Sequence, residues 1–355
     1  MSNMSSTSRP DISLVSPAYQ ESKNLPVLYD RIKAVMDTLG RSWEWIIVDD
    51  HSPDDTFDVV TELSTRDPRV RGVRLARNYS SHTAITCGLH HAQGACAVVL
   101  AADLQDPPEV IPELLVPWEA GAQVVWAVRG KRLGEKRRTL FFAKLFYIFV
   151  RNFVGLKEMP ATGADFFLLD RRAIDGFCQF GETNVHVLAL ITWMGFRQET
   201  IVYTKQARLH GESAFNFEKR MQLVLDCVTS FTTRPIRAMG LVGFLVALAG
   251  FVLAGRIIWE VFILEQGPPQ GYASLMVALL VIGGIQMLMM AVLGEYLWRA
   301  LDEARRRPRF LIEAQVGGTP AGSPGALPAV SHAAPRPTAT PQPGATPKPS
   351  ANIPW

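Results

Sequence analysis

Two long apolar segments in the C-terminal half constrain the fold of this chain most strongly. The first covers residues 238–264 and the second covers residues 272–298, with very few charged residues in either. A helix of about 20 apolar residues crosses a hydrocarbon core of roughly 30 Å, and a helix buried in a soluble protein is rarely apolar on every side. The sequence therefore predicts two transmembrane helices, joined by a short loop at residues 265–271.

The distribution of basic residues predicts how this helical hairpin is oriented. The connecting loop contains no Lys or Arg, whereas both outer flanks are basic. Because cytoplasmic flanks carry the excess of Lys and Arg, we expect both flanks in the cytosol. Residues 1–10 are polar, so we expect a disordered N-terminus without a signal peptide. These features predict a multi-pass protein of the cytoplasmic (inner) membrane with its main domain and both termini in the cytosol.

Residues 11–215 form the main domain, and they alternate between strand-like and helix-like segments. Apolar runs at 12–15, 45–48, 70–75, 97–100 and 124–128 are separated by amphipathic stretches at 25–39, 56–64, 82–91 and 109–120. Strands that alternate with helices indicate βαβ units, and hence an α/β fold with a mostly parallel sheet. Neither a G-x-G-x-x-G nor a P-loop motif is present, which disfavours a dinucleotide-binding or P-loop enzyme.

The remaining segments are predicted from their composition. Residues 140–156 are rich in aromatic and basic side chains, which favours a helix in the membrane interface over an ordinary core helix. Residues 216–235 predict an amphipathic juxtamembrane helix, and residues 299–314 a basic cytosolic segment. Residues 315–355 are rich in Pro and Ala, so we expect a disordered tail. The net charge of +3 is too small to suggest nucleic-acid binding.

Acidic residues follow two of the predicted strands directly. Residues 101–109 (AADLQDPPE) come after one strand, and residues 49–55 (DDHSPDD) come after another. A single acid before proline is compatible with a helix cap. Two neighbouring strands with acidic ends instead indicate a ligand site at the carboxyl edge of the sheet. Such oxygen ligands suit a divalent metal that bridges phosphates.

These motifs together resemble those of a known enzyme family. The string PAYQE at residues 17–21, VDDHS at 48–52 and DLQDPPE at 103–109 resemble family 2 glycosyltransferases. With the two apolar segments, the chain is most similar to the polyisoprenyl-phosphate glycosyltransferases, which include dolichol-phosphate mannose synthases and undecaprenyl-phosphate glucosyltransferases. The resemblance covers about residues 10–312.

The resemblance implies a nucleotide-diphospho-sugar transferase (GT-A type) fold and inverting transfer of a sugar onto a lipid phosphate. It implies Mg²⁺ or Mn²⁺ at Asp103 and Gln105, and Asp165 facing the sugar, so that these three residues are the expected catalytic group. The resemblance also implies which residues line the nucleotide pocket and which residues bind the acceptor phosphate. The nucleotide residues are Pro17, Tyr19, Glu21, Asp49 and Asp50, and the acceptor residues are Arg129, Arg208 and Ser213.

Two positions depart from the family pattern. Ala101 stands where an acid commonly begins the metal motif, which removes one carboxylate from the predicted metal site. Mg²⁺ tolerates this loss, because one or two carboxylates, substrate phosphates and water complete its coordination. Ser80 stands where glycine is usual, which concerns the backbone conformation more than the chemistry.

The expected partners are a UDP- or GDP-linked sugar, a polyisoprenyl phosphate such as undecaprenyl phosphate, the membrane and a possible second copy of the chain. Two alternatives stay open. One is a catalytically silent membrane partner protein, which the loss of an acid at Ala101 would fit. The other is a processive polysaccharide synthase, which the absence of a Q-x-x-R-W motif and the presence of only two spans disfavour.

Overall fold

The computed structural model of the protein describes residues 9–130, 165–182, 186–204, 206, 234–262 and 271–318. The chain divides into two units, Met1–Gly318 and Thr319–Trp355, and only the first contains described residues. The predicted interfacial helix, most of the predicted juxtamembrane helix and the predicted tail from residue 319 onwards lie outside the described residues. So do Arg208 and Ser213.

A mixed sheet organises the first unit. Among the described residues it has eight strands in the order β7-β5-β6-β4-β1-β2-β3-β8. The central strands β3, β2, β1 and β4 are parallel to one another, and β5 is parallel to β7. The predicted α/β class with a mostly parallel sheet is confirmed. The strands are β1 (Ile12–Ala18), β2 (Trp43–Asp49), β3 (Val70–Leu75), β4 (Cys96–Val99), β5 (Val124–Arg129), β6 (Phe166–Asp170), β7 (Gln198–Tyr203) and β8 (Ile312–Val316).

Helices cover both faces of the sheet. Helix α1 has a proline in its first turn and ends at Gly40, whose φ of +64° suits a left-handed cap. Its bounds match the predicted range of residues 25–39. Among the described residues, the helices before the two long apolar ones are α1 (Leu25–Leu39), α2 (Thr56–Arg66), α3 (Ser81–His91), α4 (Ile111–Glu119, preceded by a 3₁₀ turn at Pro108–Val110), α5 (Arg171–Gln179) and α6 (Val187–Trp193).

The core has two layers because the central strands are buried on both faces. Ile12 and Leu14 of β1 pack with side chains of α1, α2 and α4 on one face. Val15, on the opposite face, packs with side chains of α3, α5 and α6. Strands buried on both faces have continuous apolar sequences rather than alternating ones, which is why the sequence reveals β1, β2 and β4 so directly.

Two long apolar helices follow, α7 (Arg234–Phe262) and α8 (Tyr272–Ala304). Each contains a stretch long and apolar enough to span a membrane, namely Ile236–Leu253 and Val281–Ala304. None of the residues in these two stretches is buried within the protein. Their surfaces are therefore those of candidate membrane spans rather than of core helices.

Strand β8 corrects a boundary predicted from the sequence. The sequence predicts a basic segment that ends at residue 314 and a disordered tail from residue 315, but β8 crosses that point and pairs antiparallel with β3. In β8 the residues Ile312, Ala314 and Val316 are half-buried, while Glu313 and Gln315 are exposed. This period-two alternation is typical of an edge strand. The arginines just before β8 make the composition of the region basic, and this composition gives no indication of a strand.

Gly94 offers a test of how closely the backbone packs at the start of β4. A Cβ atom at this position would lie 2.6 Å from the backbone nitrogen of Ser13 and 2.7 Å from the carbonyl oxygen of Cys96. Because backbone atoms cannot rotate away, we expect Gly94→Ala to destabilise the protein by about 1–3 kcal/mol. The apparent melting temperature of the purified full-length protein in detergent measures this effect.

Gly181→Ala is the matched control, since a Cβ at Gly181 would have no neighbour within 4 Å. Equal melting temperatures for the two variants would contradict the predicted close packing at Gly94.

Candidate active site

A tight turn after β4 presents the residues of the predicted metal site. The Oδ1 atom of Asp103 accepts a hydrogen bond from the N–H of Gln105 at 3.1 Å. Between them, Leu104 has a φ of +61°, an uncommon conformation for a branched residue. The turn thereby holds the Asp103 carboxylate against the backbone of Gln105 at the carboxyl edge of the sheet.

The side chains of this turn suit a divalent cation that takes only a few of its ligands from the protein. Among the described residues, no group of three or more His, Cys, Asp and Glu side chains is arranged to hold a metal. One carboxylate, one amide oxygen and the oxygens of a bound diphosphate are a sufficient set for Mg²⁺. The assignment of Asp103 and Gln105 as metal ligands stays a prediction.

The second acidic strand end organises the neighbouring loops. Asp49 is fully buried; its Oδ1 atom accepts the N–H of Ser52 at 3.0 Å, and its Oδ2 atom lies 3.7 Å from Nε of Arg74. Arg74 also pairs with Glu313 of β8 at 3.1 Å. The strand that follows the two apolar helices therefore connects to this edge through Arg74.

Asp50 fixes the loop that precedes α3. Its two carboxylate oxygens accept the backbone N–H groups of Tyr79 at 2.7 Å and Ser80 at 2.9 Å. Ser80 has a φ of +89°, which explains why glycine is usual at this position. The two hydrogen bonds stabilise a conformation that serine alone disfavours.

The loop after β1 lies against the loop after β2. The N–H of Gln20 donates to Oγ of Ser52, and the N–H of Glu21 donates to Oγ1 of Thr56, both at 3.0 Å. Tyr19, next to Gln20, is exposed, and Pro17 lies in β1 two residues earlier. The predicted nucleotide residues Pro17, Tyr19, Glu21, Asp49 and Asp50 thus belong to two adjoining strand ends. Their contact with a nucleotide stays a prediction.

Arg129, the predicted acceptor residue, is the last residue of β5. Its Nη2 atom lies 3.2 Å from Oδ2 of Asp165, the residue just before β6. The Asp165 side chain is 55% exposed, while that of Arg129 is only 17% exposed. The structure thus brings together two residues that the sequence analysis assigned to the acceptor phosphate and to the sugar.

Two buried residues beside this pair were not predicted from the sequence. Tyr203, at the end of β7, donates its hydroxyl hydrogen to Oδ1 of Asp106. Asp106 belongs to the DLQDPPE string, but a sequence motif does not reveal which of its acids is buried. Tyr203 ends the run QETIVY, whose β-branched residues are the local signal for this strand.

The half-buried His82 and the buried His186 form a further contact. The ring centroids of His82 and His186 are 4.2 Å apart. Burial lowers the pKa of both side chains, although Asp165 acts in the opposite direction on His82. The lowered pKa values favour the neutral form of both rings.

Comparison with known proteins identifies the family. The family model described as Glycosyl transferase family 2 matches residues 13–177. An uncharacterized glycosyltransferase of Bacillus subtilis (strain 168) is 35% identical over 86% of this chain and 94% of its own length. The chain belongs to glycosyl transferase family 2. The acidic residues at the ends of β2 and β4 therefore belong to a glycosyltransferase domain.

Other relatives of this family 2 glycosyltransferase have more specific names. The bactoprenol glucosyl transferase of Shigella phage SfII is 32% identical over 87% of this chain and 99% of its own length. A prophage bactoprenol glucosyl transferase homolog of Escherichia coli (strain K12) is 32% identical over 85% of this chain and 98% of its own. Among solved structures, mannosyl-3-phosphoglycerate synthase from Rubrobacter xylanophilus has a TM-score of 0.46 and 18% identity over 65% of this chain and 75% of that one.

Asp50 predicts a pH dependence of the glycosyltransferase's stability. Burial raises its pKa to about 6, and the neighbouring Asp49 adds to the rise, while the N–H groups of Tyr79 and Ser80 lower it. Because this pKa lies above the ordinary value of 3.8, the folded state binds the proton more tightly than the unfolded state. Proton binding by Asp50 therefore contributes to the free energy of unfolding. This contribution is complete below about pH 4 and is lost as the pH rises through 6.

We therefore expect the melting temperature of the wild type, relative to that of Asp50→Asn, to be higher at pH 5 than at pH 7. Thermal unfolding of both proteins at the two pH values measures this difference. A difference that stays constant, or that is larger at pH 7, would contradict the raised pKa.

Proposed function

We propose that this glycosyltransferase moves a sugar from a UDP- or GDP-linked donor to a polyisoprenyl phosphate, undecaprenyl phosphate being the expected carrier. Relatives named bactoprenol glucosyl transferase, which match over nearly their whole length, support this acceptor. The two long apolar helices support it as well, because a polyisoprenyl chain stays in the bilayer and the enzyme must reach it there.

The donor side of the proposal depends on the turn after β4. Asp103 and Gln105 would hold Mg²⁺ or Mn²⁺, which when bound neutralises the charge that develops on the diphosphate leaving group. The hydrogen bond from the Gln105 N–H restrains the Asp103 carboxylate before any donor binds. This preorganisation reduces the rearrangement that the site needs at the moment of reaction.

The acceptor side needs orientation more than it needs a strong base. The second pKa of a phosphate monoester is about 6, so the nucleophilic oxygen is already largely deprotonated at neutral pH. Arg129 supplies a planar guanidinium that matches phosphate oxygens in a fixed geometry. We propose that Arg208 and Ser213, which lie outside the described residues, complete this acceptor site, and that Asp165 faces the sugar.

One observation carries the proposal. The predicted donor motif and the predicted acceptor arginine adjoin each other, because Asp106 follows Gln105 directly and bonds Tyr203, which pairs with Arg129 across β5 and β7. A transferase must align donor and acceptor closely. This adjacency is the arrangement expected for direct transfer between them.

We also propose a multi-pass topology in the cytoplasmic membrane, with the enzymatic domain and both termini in the cytosol. Basic residues on both outer flanks of the helix pair support this orientation. Nucleotide sugars are cytosolic, so the proposed topology gives the domain access to its donor.

A donor screen tests the function. Membranes that contain the full-length protein would be incubated with undecaprenyl phosphate, Mg²⁺ and radiolabelled UDP- or GDP-linked sugars one at a time. We expect one donor to give a lipid-linked monosaccharide, extractable into organic solvent and identified by mass spectrometry. A long polymer would indicate a processive synthase instead, and no product with any donor would indicate a catalytically silent protein.

Asp103→Asn tests the metal assignment. The change keeps the size of the side chain but removes its charge, so we expect turnover in Mg²⁺ to fall by at least roughly 100-fold, since even outer-shell partners of a metal contribute 10- to 100-fold. Initial rates of lipid-linked product formation measure the loss.

The control is Asp37→Asn, which alters an exposed acid paired with Lys33 on α1 and should leave the rate unchanged. Near-normal turnover in Asp103→Asn would refute the metal assignment.

A further inference from the structure

We infer that the Tyr203 hydroxyl and the Asp106 carboxylate form a buried pair that positions the Arg129 guanidinium for the acceptor phosphate. This inference rests on the proposed function and extends it to two residues that do not touch the substrate themselves. Tyr203 and Asp106 are therefore positioning residues, and Arg129 is the residue through which they act.

The pair is built into the core of the domain. Tyr203 is 5% exposed and Asp106 is fully buried, and the hydroxyl donates to Oδ1 of Asp106 at 2.5 Å. The Tyr203 ring packs edge-on against Phe166 with 5.5 Å between centroids. With its ring held in this way, the tyrosine has little freedom to turn its hydroxyl elsewhere.

The backbone places Tyr203 beside Arg129. The two residues are partners in the parallel pairing of β5 with β7, and the N–H of Gly130 donates to the carbonyl oxygen of Tyr203 at 2.9 Å. Burial and the Asp106 carboxylate raise the pKa of the Tyr203 hydroxyl well above its ordinary value. The positive charge of Arg129 opposes this rise. The hydroxyl is therefore bonded to the buried carboxylate, and the guanidinium is near enough to act on it through its charge.

Electrostatics give the arrangement a function. A buried carboxylate is costly unless hydrogen-bond donors compensate it, and the Tyr203 hydroxyl is such a donor for Asp106. Arg129 lies beside Tyr203 in the sheet and has an exposed partner, Asp165, on its other side. An incoming phosphate can replace or join the exposed partner while the buried pair keeps the guanidinium in place.

A second contact connects the same segment to the donor motif. The N–H of Gln206, three residues after Tyr203, donates to the carbonyl oxygen of Gln105 at 3.0 Å. The Gln206 side chain accepts a hydrogen bond from Arg31 at 3.2 Å, and Arg31 also pairs with Glu109 of the donor motif. The chain leaving β7 is thus attached to the DLQDPPE string directly at Gln105 and through Arg31 at Glu109, so the donor motif keeps these contacts when the Tyr203 hydroxyl is removed.

Tyr203→Phe removes only the hydroxyl and provides the test. Because hydrogen bonds to charged groups are the strong ones, we expect the KM for undecaprenyl phosphate to rise by about tenfold. The Kd of the nucleoside diphosphate with Mg²⁺, measured by calorimetry on the full-length protein, should stay the same. A merely structural role for the hydroxyl would not separate these two quantities.

Tyr29→Phe is a matched control. Tyr29 is equally buried and its hydroxyl donates to an aspartate, Asp67, at 2.9 Å, between α1 and the loop before β3. This variant loses the same type of hydrogen bond and should melt at a lower temperature, yet its KM for the lipid should equal that of the wild type. An equal rise in KM for both variants would overturn the inference.

A double-mutant cycle tests whether Tyr203 acts through Arg129. In an Arg129→Lys background, which retains the charge but loses the fork of donors, Tyr203→Phe should raise the KM little further. Fully additive effects would overturn the inference, as would a normal KM in Tyr203→Phe. If the wild type makes lipid-linked product in these experiments, the proposed function stands whatever the cycle gives; if no donor yields product, the proposed function itself fails.

Discussion

Buried carboxylates at the ends of parallel strands determine how the functional edge of this protein is built. A carboxylate removed from water needs hydrogen-bond donors, and the nearest donors are the backbone amides of the loops that follow the strands. Asp49 takes the amide of Ser52, and Asp50 takes those of Tyr79 and Ser80. Asp106 instead takes the Tyr203 hydroxyl. The buried carboxylates therefore fix the conformations of the loops, and the geometry of the site depends on those loops.

The sequence predicts the centre of the fold well because local and tertiary preferences agree there. The runs at β1, β2 and β4 are apolar throughout, as strands buried on both faces must be, and the proline and glycine at the ends of α1 mark its bounds. The same abrupt change from apolar to acidic residues identifies Asp103 and Asp49 as edge residues. These signals are local, so a single sequence is enough to find them.

The features that the sequence did not reveal depend on contacts between distant segments. Tyr203 and Asp106 are 97 positions apart, and nothing near either residue indicates the other. Strand β8 lies 237 positions after the strand it joins, counted from Leu75 to Ile312, and basic residues precede it. The contact of His82 with His186 is of the same kind. Such contacts form only when the chain folds, so neither the local composition nor the hydrophobic periodicity of the sequence predicts them.

The position of β8 has a consequence for biosynthesis. This strand is translated only after both long apolar helices, yet it covers the edge of β3. Until the ribosome has passed residue 316, β3 presents unpaired backbone groups, which are a template for wrong pairing between chains. Completion of the sheet in each new molecule must therefore wait for synthesis of the helix pair, and a chain truncated before β8 would expose an adhesive edge.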